Sequence, residues 1–186
     1  MDALRALHNR NSVNLLESPG PSAEQLKNIF KAGLRACDHK NLRPWRFIQI
    51  EGDARHQLGE LLLTAKTAMD GAEPDAESAA KLRAKPLRAP LVIVVAAHIT
   101  EHEKVPEIEQ ILSAGASAQM MMVAAFAQGL GAIWRSGALM FRPEVHQGLG
   151  LADNEKIVGF LYMGKAGRAK RVPRLDPADF VRSWPE

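Results

Sequence analysis

Two polar sets in this chain carry side chains that could do chemistry. Asn9-Arg10-Asn11-Ser12 follows a short amphipathic stretch and offers amide, guanidinium and hydroxyl donors together. That combination suits a phosphate or the polar edge of a ring. Arg35, His39 and Lys40 cluster at the end of a second amphipathic stretch, just before Pro44-Trp45. Cys37 lies between them, and His39 could serve it as a base. A free cysteine closing an apolar face is more often a small hydrophobe, and we read it so.

Other motifs fail on context. His98-Ile99-Thr100-Glu101-His102 matches the H-x-x-E-H pattern of one class of zinc peptidases. That chemistry needs both histidines on one helix face. Here an apolar run precedes His98 and Pro106 follows closely, so two loop histidines are expected. Gly129-Leu130-Gly131 lacks a third glycine and follows a helical pattern, whereas a dinucleotide turn needs a strand before it. Met120-Met121-Met122 reads as core.

The elements that must position these groups are legible in part. Residues 2–9 suit a first short helix. Ser22 with Gln25 forms a capping box, and Leu26, Ile29, Phe30, Gly33, Leu34 and Cys37 continue at helical spacing. Arg43, before Pro44, is expected to be extended. Residues 46–50 alternate like a strand, and Asp53 is placed to cap the helix after it. Residues 70–88 are polar and read as a surface excursion or lid, with a short helix capped at Asp75. Pro90–Ala97 is a continuous apolar, β-branched run, the pattern of a central strand covered on both faces. Glu107 to Gln128 reads as a long helix whose apolar second half is the buried spine. Residues 130–134 and 157–163 read as strands, and Pro143 opens a short helix. The order implies an α+β or irregular α/β fold with one sheet between helices.

The 186 residues suit one domain, 1–186. Basic residues number 24 and acidic residues 21, a balance far from the concentrated positive charge of a nucleic-acid binder. Five cations between Lys165 and Arg174 are read as a solvated face, although a phosphate anchor or nucleic-acid arm remains open. A single cysteine excludes a disulfide framework within the chain and a cysteine-built metal centre. The N-terminal residues lack a signal-peptide pattern and no stretch reads as a membrane span, so a cytoplasmic protein is expected.

Read in order, several blocks resemble the flavin-dependent nitroreductase family, in its compact branch of NAD(P)H nitroreductases. They are Arg10-Asn11-Ser12, the block Arg35 to Trp45, Ser113-Ala114-Gly115, Gly129 to Gly137, and Lys156 to Gly164. The resemblance implies an α+β nitroreductase-like fold, a central mixed β-sheet wrapped by helices, in an intertwined homodimer with FMN at the subunit interface. It implies hydride uptake from NADH or NADPH and delivery of two electrons to nitroaromatic, quinone or similar acceptors by double displacement. A flavin-binding sensor or storage protein without turnover is the alternative. Carried over by position, Arg10, Asn11 and Ser12 would meet the flavin from one subunit. Arg35 and His39 would reach it from the other, and Trp134, Arg135 and Ser136 would line it. No residue is assigned as catalytic and none as a metal ligand.

The sequence departs from that pattern at two places. Many relatives read Arg-Arg-Ser followed two residues on by Arg or Lys, whereas this chain has Asn11 and Asn14. Weaker flavin binding or a lower potential is expected unless Arg35, Arg135, Lys170 or Arg171 makes up the lost charge.

Overall fold

The computed structural model describes residues 2–168 and 171–185. Among the described residues there are six α-helices: α1 (Ala3–Asn9), α2 (Ala23–Gly33), α3 (Ala54–Asp70), α4 (Ala76–Arg83), α5 (Glu107–Ala127) and α6 (Pro143–Gly148). Five strands accompany them: β1 (Leu16–Glu17), β2 (Trp45–Glu51), β3 (Leu91–His98), β4 (Leu130–Arg135) and β5 (Glu155–Ala166).

β5 is the organising strand. It pairs with β3 along Leu91↔Met163 to His98↔Glu155, and with β4 along Leu130↔Lys165 to Arg135↔Phe160. β2 adds to β3, and the two-residue β1 adds to the end of β5. The α+β class stands, but the sheet, expected to be mixed, is antiparallel in every described pairing. The reason is instructive. A continuous apolar strand signals burial on both faces, and a helix-covered antiparallel sheet produces that burial as well as a parallel one.

Alternation along β3 and β5 divides the core in two. Val92, Val94, Phe160 and Tyr162 meet Leu58, Leu62 and Ala65 of α3. Ile93, Val95, Leu161 and Met163 meet Ala118, Met121, Met122 and Ala125 of α5. Helix α5 is long and apolar enough to cross a membrane by length and composition, with a mean hydropathy of 1.3. Its buried side is instead the spine of this core. A Cβ on Gly33 of α2 would fall 2.8 Å from Met121 Cγ, so glycine there lets α2 approach α5.

Local expectations fare unevenly. The Ser22–Gln25 capping box forms in both directions. α2 stops at Gly33, leaving Cys37 exposed beyond it rather than closing its face. Asp53 precedes α3 but its side chain makes no capping bond. Asp75 does cap α4, accepting from Ser78 N at 2.8 Å, and these bonds hold its carboxyl below the ordinary range. Within residues 70–88, Ala79 and Leu82 of α4 bury against Leu63 of α3, and Arg83 pairs with Glu60 at 2.7 Å.

Candidate functional site

β4 carries the first cleft. Trp134 and Arg135 point to opposite faces of the sheet, as strand alternation requires. The Trp134 indole lies across Gly159 of β5, where any Cβ would collide with its Nε1 and Cδ1 atoms. Arg135 turns to the α3 face, with its guanidinium carbon 5.6 Å from the centre of the Tyr162 ring, a cation–π arrangement. Its Nε is buried and has no hydrogen-bond partner among the described residues. Such an atom is costly unless something completes it.

A cleft of about 490 Å³ opens at this point. Trp134, Arg135, Ser136 and Gly137 form one wall, Leu62, Leu139 and Met140 give apolar surface, and Lys85 and Arg88 close the rim. Burial pushes the Tyr162 hydroxyl above its ordinary range, while Arg135 and Arg88 pull it partly back. Burial also pushes the Lys85 ammonium below its ordinary range, and the charges of Arg88 and Lys66 add to that. Among the described residues three cations line the cleft and no carboxylate does. The donor set fits a planar, electron-rich or anionic ligand.

The second cleft gathers Arg10, Asn11 and Ser12 with Arg171, Val172, Pro173 and Leu175, enclosing about 610 Å³. Val13 N donates to Ala132 O at 3.0 Å, so this loop is tied to β4, three residues before Arg135. Two guanidinium groups beside a hydroxyl suit a phosphate. Lys170 lies outside the described residues.

Arg35 and His39 line neither cleft. Arg35 is exposed past the end of α2. His39 Nδ1 sits 2.7 Å from Glu109 Oε2 at the start of α5. The loop around His39 is unusual. Lys40, Asn41 and Arg43 have φ of 61°, 55° and 51°, in the left-handed region that non-glycine residues avoid. Arg43, expected to be extended, is held there as its N–H donates to Asp38 Oδ2 at 2.7 Å. Conformations of this kind gather at functional sites.

The zinc-like histidines separate. His98 ends β3 with Nδ1 3.7 Å from Glu155, and His102 Nδ1 accepts from Lys104 N at 3.1 Å. Among the described residues, no group of three or more His, Cys, Asp or Glu side chains converges.

Thus Trp134, Arg135 and Ser136 come together, and so do Arg10, Asn11 and Ser12. Sequence reasoning missed Lys85, Arg88, Tyr162 and Gly159. The available signal for the first two was a pair of cations three residues apart, bracketing Pro86 immediately before the most apolar strand.

The Nitroreductase family model matches residues 7–165. The chain belongs to the nitroreductase family. This nitroreductase-family chain is 46% identical over 185 residues to the "Putative NAD(P)H nitroreductase YdjA" of Escherichia coli strain K12, covering 97% of this chain and 98% of the relative. It is 38% identical over 186 residues to a "Putative NAD(P)H nitroreductase" of Haemophilus influenzae, with the same coverage. Among solved structures, a "Nitroreductase-like Family Protein" from Bacillus cereus aligns with a TM-score of 0.86 at 23% identity, over 100% of this chain and 97% of the other. The "FMN-dependent nitroreductase NfnB from Mycobacterium smegmatis in complex with NADPH" aligns with a TM-score of 0.74 at 21% identity, over 97% of each chain. At those identities the structural likeness speaks for the fold.

Proposed function

We propose that this protein is an FMN-dependent oxidoreductase. It takes hydride from NADH or NADPH and delivers two electrons to nitroaromatic, quinone or similar acceptors. It works as a cytoplasmic homodimer by double displacement. The relatives' names support the nicotinamide donor, and the NfnB neighbour supports FMN. The observation that carries the reading is the pair of cationic clefts, one on β4 holding the buried Nε of Arg135, which has no partner among the described residues, and one on the loop that Val13 ties to β4.

The residues fit the cofactor. A phosphate monoester carries close to two negative charges, and Arg10, Ser12 and Arg171 supply matching donors. Trp134, Arg135 and Ser136, with Lys85 and Arg88, form the wall for the ring. FMN supplies the hydride and electron chemistry when bound; the side chains bind, orient and neutralise charge. No side chain is assigned a covalent role.

The dimer completes the site in this reading. Arg35 and His39 would act on the partner's cofactor, because neither lines the cleft beside Trp134 or the cleft beside Arg10. Leu4 and Leu7 of α1 and Ile108 and Leu112 of α5 are all more than half exposed, giving apolar surface for a second copy to cover.

Absorbance of the purified protein tests this reading. Flavin bands that bleach anaerobically with NADH or NADPH, and return when acceptor is added, are expected. Initial-rate lines should run parallel as donor and acceptor are varied. A flavin that neither nicotinamide reduces would assign the chain to the sensor or storage class instead.

A further inference from the structure

The cleft beside Arg10 does not end where a terminal phosphate would. Another cleft, of about 800 Å³, adjoins it, and Arg171, Val172, Pro173 and Leu175 line both. His8 and Asn9 of α1 line the adjoining space together with Arg174 and Pro177. The phosphate of FMN needs only the Arg10 cleft, so the function proposed above leaves this room unused. Its chemistry is of one kind. Among the described residues no carboxylate lines either cleft, and none of Arg10, Arg171 and Arg174 forms an ion pair. Asp176, the carboxylate nearest Arg174 along the chain, accepts from Ala178 N at 3.0 Å within its own turn. A cleft whose charged walls are all of one sign gathers ligands of the other. The remaining walls are not those of a bare ion site. His8 offers a flat ring on which a base can stack, and Pro173, Leu175 and Pro177 give apolar surface. Asn9 Nδ2 donates to Arg5 O at 2.8 Å, which fixes the amide and leaves its Oδ1 to accept.

We propose that the adjoining cleft is an adenylate subsite, so that the protein takes FAD in place of FMN, with Arg174 and His8 holding the added nucleotide. The inference rests on the reading that the flavin phosphate lies against Arg10. FAD is FMN extended at that phosphate by an adenylate. The extension turns a phosphate monoester with close to two negative charges into a diphosphate with one on each phosphorus. A site for it therefore needs cations spread along a line rather than gathered at one point. Arg10, Arg171 and Arg174 are arranged in that way: Arg10 lines the first cleft, Arg174 the second, and Arg171 both. Guanidinium groups suit phosphate oxygens of either kind. The volume of the adjoining cleft lies within the range that small-molecule sites span. His8 and the two prolines then meet the purine, and Asn9 Oδ1 can accept from its exocyclic amine.

The experiment titrates flavin-free protein with FMN and with FAD at low salt, following flavin fluorescence, for wild type, Arg174→Gln and Arg174→Lys. Wild type should bind FAD within about tenfold of FMN. Arg174→Gln should lose about fivefold for FAD, a modest figure because the side chain is exposed, and keep its FMN affinity. Arg174→Lys should recover most of the FAD affinity, since the charge is restored. Wild type that takes FMN and binds FAD more than tenfold more weakly overturns the inference and leaves the FMN reading standing. So does an Arg174→Gln variant that loses both flavins alike, because Arg174 would then act at the first phosphate or on the fold, or one that loses neither. Wild type that binds neither flavin overturns the underlying reading, and the FMN titration alone reveals that case.

Discussion

The cleft beside Trp134 stands on β4, the cleft beside Arg10 on a loop tied to β4 by Val13, and the two are built from different material. The first stands on paired strands, where register fixes which face each side chain takes. Trp134 lies opposite Leu161 and Arg135 opposite Phe160, and neither can turn without breaking the ladder. The second is made of a loop after α1 and a segment after β5, outside any paired strand, tied to the sheet beside it by Val13 N to Ala132 O and Gly167 N to Leu15 O. Ring geometry demands precision, and a phosphate tolerates adjustment because long arginine side chains can follow it. The fold spends its rigidity at the ring end and leaves the anion end to flexible guanidinium groups.

That contrast can be broken at its rigid end first. Gly159→Val should remove about 3 kcal/mol of stability, since the new side chain enters space held by the Trp134 indole. Urea unfolding of the purified variant measures this; a loss under 1 kcal/mol would show that the strand platform yields. At the loop end, Asn11→Arg should tighten FMN about fivefold at low salt and less at high salt, with little change for riboflavin, which lacks the phosphate. Equal gains for both flavins would place residue 11 at the ring. Ser117→Ala, beneath the α2–α5 contact and away from both clefts, should change stability by no more than about 1 kcal/mol, in the stabilising direction. Its buried hydroxyl has no partner among the described residues.

The smallest effect is the most telling in sign. Lys85 has a folded-state pKa below its ordinary 10.5, so its protonated form is disfavoured by folding. That penalty is present at neutral pH. It fades as pH rises through the lowered folded value and is gone above about 10.5. Lys85→Met should therefore slightly stabilise the FMN-free protein at pH 7 and not at pH 11, as followed by thermal melting. A destabilised variant at pH 7 would mean that the lysine is serving the fold rather than a ligand.

Much of the scaffold was readable because it depends on patterns that repeat along the chain. The capping box at Ser22 and the apolar run of β3 form as read, while the spine of α5 is buried on one side only, with Met121 and Met122 in the core and Met120, read as core, exposed. What escaped depends on partners distant in sequence or on single bonds. Arg43 takes a left-handed conformation because Asp38 holds its amide, against the preference of residues before proline. The two residues of β1 are too few to show a period. Lys85 and Arg88 looked like ordinary members of a polar excursion, since charge alone does not reveal which way a side chain leaves the backbone. Gly159 looked like any strand residue until the indole across it was placed. The roles offered for Arg10 to Ser12 and Trp134 to Ser136 came from family resemblance; periodicity said only that one set followed a helix and the other ended a strand.

One ligand spanning both clefts is the central claim, and the ratio of FMN to riboflavin affinity tests it most directly. That ratio isolates the phosphate. Arg10→Ala should lower FMN affinity about 10- to 100-fold, the range for losing a charged hydrogen bond, and leave riboflavin nearly unchanged, so the ratio collapses. Arg135→Ala should weaken both flavins alike and preserve the ratio. The same ratio in both variants, or a collapse in Arg135→Ala alone, would contradict the account.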